Sequence, residues 1–205
     1  MTSGQEKQFL ELYGLQKKTY DMWTDYWFQY VAGTWQFWVY VAFIIVPLVV
    51  LYFYLDRKKA YFLGFYGFCV HMLAAYIDAF GTSKGLWGFP YKAVPVLPAS
   101  FSIDAVLIPV SFMLTYQWTL NRNKNYYLYL TLLSVVFAFG LKPLLSVLGL
   151  FVIFEGTTFF HIFLWYFSGV VLSKWVINIF IHFRQQEEQP SFPPMRLFAK
   201  KEKTK

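Results

Sequence analysis

The sequence predicts an all-α fold: a polytopic bundle of about five transmembrane helices, preceded by an N-terminal interfacial amphipathic helix. Three observations predict it. Hydrophobic residues make up 58% of the 205-residue chain and charged residues only 14%, a balance that no ordinary soluble core accommodates. The aromatic load of 24 Phe, 16 Tyr and 8 Trp points the same way. The apolar residues also fall in uncharged runs of about 20, the length that crosses a hydrocarbon layer of about 30 Å at roughly 1.5 Å per helical residue.

Residues 1–34 form the first segment. Phe9, Leu12, Tyr13, Tyr20, Trp23, Trp27 and Tyr30 recur at helical spacings, while Lys17, Lys18, Asp21 and Asp25 occupy other faces. That pattern describes a helix lying in the outer headgroup layer, where Trp side chains gather. The segment lacks the basic start, apolar centre and small-residue cleavage site of a secretory signal, so the first span is expected to act as its own insertion signal.

Residues 35–183 hold the bundle. The first span runs from Trp35 to Leu55 and is closed by Asp56-Arg57-Lys58-Lys59, and the second runs from Ala60 to the neighbourhood of Phe80. After a Gly/Pro-rich stretch, a third runs from Phe101 to Leu120 and ends at Asn121-Arg122-Asn123-Lys124-Asn125. The fourth begins at Tyr126 and is clear to Leu141, where Lys142-Pro143 interrupts it. Residues 144–154 are apolar again, but at about 16 Å of helix they cannot cross a membrane. They read as a kinked continuation of the fourth helix or as an interfacial or re-entrant piece. The last span runs from Thr157 to Phe183, and Pro47 and Pro109 are expected to kink the first and third.

Five spans place the termini on opposite sides, and the basic residues choose between the two arrangements. With the amino terminus outside, the cytoplasmic segments collect Arg57, Lys58, Lys59, Arg122, Lys124, Arg184, Arg196, Lys200, Lys201, Lys203 and Lys205. The opposite arrangement collects only Lys7, Lys17, Lys18, Lys84, Lys92 and Lys142. The expected location is therefore a cell membrane, amino terminus outside and carboxyl terminus cytoplasmic. Residues 184–205 read as a disordered basic tail drawn to anionic lipid.

Motifs for soluble chemistry are missing from the sequence. A single Cys69 allows no internal disulfide or Cys-x-x-Cys pair, and there is no phosphate-binding Gly loop, Gly-x-Ser-x-Gly elbow or His-Glu-x-x-His. No cofactor is expected, and no nucleic-acid partner. Gly81-x-x-x-Gly85 matches a helix close-packing motif but is read as part of the outer loop.

Charged and polar residues at membrane depth remain, and these are the default place to look for function. Counting from Ala60, His71 lies about 16 Å and Asp78 about 27 Å into the second span, on one face. Asp104 enters the third span near the same outer boundary, Lys142 lies far along the fourth, and Glu155 and His161 bracket the start of the fifth. His71, Asp78, Asp104, Lys142, Glu155 and His161 are the candidate cluster: an outward-opening acidic and histidine-bearing cavity that could relay protons or hold a divalent cation. The alternative is that each residue sits separately at a helix end, where charge is tolerated. Lys174 is expected to reach towards the inner interface. The Gly/Pro-rich loop from Gly81 to Ser100 carries Leu86, Trp87, Phe89 and Tyr91, too apolar for a free tether, and is expected to fold back over the bundle.

Asp104 with Pro109 five residues on, the Tyr-rich basic turn from Asn121 to Tyr129, and the connection around Gly149 and Gly156 together resemble an uncharacterised family of five-span membrane proteins from Bacillus and clostridial bacteria. The resemblance lies in the second half of the chain and implies a cytoplasmic-membrane location with no known activity. Lys142 stands where that pattern has an acidic residue. Three readings of function follow. The first is a non-enzymatic scaffold or partner-binding component, since no catalytic constellation stands out. The second is a small solute or ion-coupled transporter built on the polar cluster, working as a homo-oligomer or with a membrane partner. The third is an enzyme acting on lipid or a lipid-linked substrate.

Overall fold

Thr2 opens the first helix. Its hydroxyl accepts the Gln5 N–H at 3.3 Å while the Gln5 side-chain oxygen accepts the Thr2 N–H at 2.9 Å, a reciprocal cap that satisfies two N–H groups a helix start leaves open. The computed structural model describes residues 1–95, 99–154 and 156–186. Helix α1 covers Ser3–Tyr26, widens into a π-helical turn at Trp27–Val31, and buries none of its own 24 residues. Gly33, at φ +79°, turns the chain, and the Thr34 hydroxyl caps the next helix by accepting the Phe37 N–H.

Five helices are long and apolar enough to cross a membrane, at the positions the sequence predicts. They are α2 (Trp35–Tyr54), α3 (Ala60–Ser83), α4 (Phe101–Asn121), α5 (Tyr126–Val147) and α6 (Phe159–Gln186). The fold is all-α apart from two-residue strands, β1 (Trp87–Gly88) and β2 (Val152–Ile153), which pair antiparallel with Trp87 opposite Ile153. Of its most apolar stretch, α4 buries 56% and α2 only 11%, so α4 forms the centre of the bundle and α2 an outer stave.

Helix α3 buries Leu63, Tyr66, Gly67, Val70, Asp78 and Gly81, a stripe at spacings of three and four that marks one inward face. The opposite surface is apolar too: Tyr61, Phe68 and Tyr76 are 92%, 57% and 69% exposed. Exposed apolar surface on this scale belongs to a molecule that meets something other than water. At the basic end, the Asp56 N–H donates to Gln117 Oε1 at 2.8 Å and Gln117 Nε2 donates to the Tyr54 carbonyl at 2.9 Å. Lys59 reaches Asn121 Oδ1 and Asp56, so the α2–α3 turn is tied to the end of α4. Nearer the other end, Tyr40 of α2 donates its hydroxyl to the Leu150 carbonyl at 2.6 Å.

One boundary differs from the sequence reading, and at a second the structure chooses among its alternatives. Helix α3 runs to Ser83, which takes Gly81 out of the loop and onto the buried stripe. Helix α5 also runs through Lys142-Pro143 without stopping. A π-helical stretch at Val136–Leu141 hands the Lys142 N–H to the Phe137 carbonyl, five residues back, and the helix continues to Val147. Proline at the first positions of that last turn gives up an N–H the turn does not need. Residues 148–154 are neither a span nor a re-entrant helix: they turn at Gly149 and return as β2. The expected tail beyond residue 186 lies outside the described residues, as does Glu155.

Candidate functional site: a buried carboxylate pair and lysine

Asp78 is placed by the α3 stripe and held by the loop that follows it. Trp87 Nε1 donates to Asp78 Oδ1 at 2.6 Å, and the Ser100 backbone N–H donates to Oδ2 at 2.9 Å. The Trp87 ring reaches this position because Gly81, three residues beyond Asp78, has no side chain. A Cβ there would lie 2.0 Å from the ring. The loop therefore folds back into the bundle, as expected, with Trp87 5% and Phe89 1% exposed.

Asp104 comes from the π-helical start of α4, Phe101–Leu107. In this stretch the Ile108 N–H bonds the Ile103 carbonyl five residues back, so the next residue in register would serve Asp104. That residue is Pro109, which has no N–H. His71 supplies the missing donor, with Nδ1 3.2 Å from the Asp104 carbonyl. Because a carbonyl can only accept, the imidazole proton sits on Nδ1. The Asp104 carboxyl lines the same cavity as Asp78. Its Oδ2, buried, has no partner, and neither do the buried hydroxyls of Ser100 and Ser102.

Lys142 enters from α5, directly after the second π-helical stretch, and is 2% exposed. Its ammonium rests 4.6 Å and 4.2 Å from the ring centroids of Phe89 and Phe151, a cation–π seat. Asp78, Asp104 and Lys142 line one cavity of about 30 Å³, walled otherwise by apolar and aromatic side chains including Trp87, Phe112 and Trp165. Such a volume holds about two water molecules.

The remaining candidates are placed elsewhere. His71 is partly buried and engaged with the Asp104 backbone, so it supports the cluster from behind. His161 is exposed, and its Nδ1 accepts the Thr158 N–H at 3.1 Å; it caps its own helix because first-turn side chains lean back towards the N-terminus. Among the described residues no group of three or more His, Cys, Asp or Glu is placed to hold a metal ion. Lys174 also departs from expectation. Its ammonium turns into the bundle, over the rings of Tyr116 and Tyr126 at 4.6 Å and 5.2 Å, and donates to the Tyr116 hydroxyl.

Sequence reasoning did not find that Trp87 and the Ser100 N–H hold Asp78, or that Lys92 is buried in the loop beside them. The signal for Trp87 was Gly81, one turn beyond Asp78, where a ring needed room. Lys92, 6% exposed, sits in the loop with its ammonium 4.6 Å from the Trp23 ring of α1, and its carbonyl accepts Trp27 Nε1 at 2.7 Å. Burial pushes its amine down to about 8, against the opposing pull of Asp78. No protein-family model, curated protein or solved structure matches the chain.

Proposed function

We propose that the chain is an integral membrane protein that crosses a cell membrane five times, amino terminus outside and carboxyl terminus cytoplasmic, and that it carries protons through the Asp78–Asp104–Lys142 centre. The five apolar helices and the apolar exterior support membrane insertion. Arg57, Lys58, Lys59, Arg122 and Lys124 gathered at one end support the orientation. Helix α1, which buries nothing of its own and displays Phe9, Leu12 and Tyr13, suits the outer headgroup layer.

One observation carries the proton reading. Three charged side chains from three helices meet in one buried cavity, and one carboxylate oxygen in it has no partner. Charge at such depth is expensive and marks ion and proton pathways. The lysine ammonium in the same cavity repels a metal cation, and a volume of about 30 Å³ is too small for a lipid-linked substrate. A carboxyl pair and an amine exchange protons without needing more room. This convergence favours a carrier over a scaffold.

The test is proton entry into liposomes containing the purified chain and an internal pH dye, driven by an inside-negative potassium diffusion potential. Wild-type protein is expected to acidify the lumen faster than empty liposomes, and Asp104→Asn to return the rate to that of empty liposomes. A wild-type rate equal to the empty-liposome rate overturns the reading.

A further inference from the structure

Two hollows meet at one side chain. The buried cavity of about 30 Å³ and an outer groove of about 510 Å³ are both lined by Trp87. The groove lies between the end of α1 and the loop, walled by Met22, Trp23, Tyr26, Phe89, Lys92 and Phe154. We propose that this groove is the outer antechamber of the cavity and that the Trp87 indole is the door between them, latched by Asp78. The proposal names the route of the proton and its water in the carrier reading above and rests on it for purpose.

The geometry gives the door a frame, a seat and a latch. The frame is β1 paired to β2, which pins the Trp87 and Gly88 backbone to Ile153 and Val152. The seat is the missing side chain of Gly81, which leaves room for the ring against α3. The latch is the 2.6 Å bond from Trp87 Nε1 to Asp78 Oδ1. Oδ1 belongs to Asp78, one of the side chains of the proposed proton path, so the group that closes the door is the group the passing proton visits. A proton placed on Oδ1 removes the acceptor and frees the indole. Phe89, which also lines the groove, does not offer the same passage: it is packed against Phe151 and carries Lys142 on its face.

Cysteine accessibility tests this without requiring transport. In a Cys69→Ser background, Thr82→Cys reports on the groove and Ala74→Cys on the cavity, since each residue lines one hollow. The protein in lipid nanodiscs is treated with a charged methanethiosulfonate reagent. Thr82→Cys is expected to react at the same rate in every background. Ala74→Cys is expected to react slowly beside Trp87 and on the order of tenfold faster with Trp87→Phe, which keeps a ring but loses the hydrogen bond, and faster again with Trp87→Ala. Unchanged Ala74→Cys rates in both variants, or a fast rate with Trp87 present, overturn the proposal. If labelling accelerates while liposomes show no proton entry, the door stands and the carrier reading falls. If protons enter while labelling does not respond, only the route is wrong.

Discussion

Each end of the bundle holds a lysine against aromatic rings, but only one of the two has everything it needs. At the basic end Lys174 donates to Tyr116, the hydroxyls of Tyr66 and Tyr126 lie 2.8 Å apart, and Tyr126 donates to the Val170 carbonyl at 3.0 Å. None of these polar atoms is left open. At the other end Lys142 rests on Phe89 and Phe151, while Asp104 Oδ2 and the Ser100 hydroxyl lack partners beside a cavity. A satisfied network of hydroxyls fixes packing. An incomplete network of charges beside a cavity leaves acceptors that a water or a proton can satisfy. Similar residue types therefore serve a joint at one end and, in the proposed reading, a proton site at the other.

The largest effect that would sharpen this contrast is Gly81→Ala. The new methyl must displace the Trp87 ring and its bond to Asp78, at a cost of about 3 kcal/mol, read as a fall in the thermal midpoint by circular dichroism in detergent. His71→Leu comes next, leaving the Asp104 carbonyl without a donor for about 2 kcal/mol. His71→Asn, which can still donate, should recover part of that loss in the same melt. Tyr126→Phe is expected to cost about 1 kcal/mol and leave proton entry into liposomes unchanged; a flux falling as far as in Asp104→Asn would break the division between the two ends.

The smallest effect is in Lys92. Its amine titrates at about 8 in the fold against 10.5 for the free group, so the unfolded chain holds the proton more tightly. The penalty for burying that charge is present in full below pH 8 and is relieved as pH rises towards 10.5. Stability should rise across that window in urea titrations at stepped pH, and Lys92→Met should flatten the rise.

The long apolar helices were legible because a bilayer-length apolar run leaves few other readings, and the boundaries at Ala60 and Tyr126 needed only the charged turns before them. Position along the helices was legible as well: counting residues groups Asp78, Asp104 and Lys142, and the three line one cavity. Direction around the axis was not. His161 has a suitable depth but leans away, and Lys174 was expected to reach for the interface because the Tyr116 and Tyr126 rings that receive it lie on other helices. The part played by His71 depends on Pro109, 38 residues further on in the sequence, and on a π-helical register that no spacing rule announces. Lys142-Pro143 left the fourth helix open between continuing and ending, because a proline in an α-helix usually breaks it; the π-helical stretch before it lets the helix continue to Val147.

The bond from Tyr40 to the Leu150 carbonyl spans 110 residues, and it gives the fold a timetable. At about 5–20 residues per second, a ribosome needs roughly 6–20 s to make the partner after Tyr40 has been made. Until then α2 is a helix with its one buried hydroxyl unclaimed, able to enter a membrane but not to finish docking. The strand pair closes on the same schedule, since β1 waits for β2. The loop that positions Trp87 is thus among the last parts to settle, after every helix lining the cavity except α6 has been made.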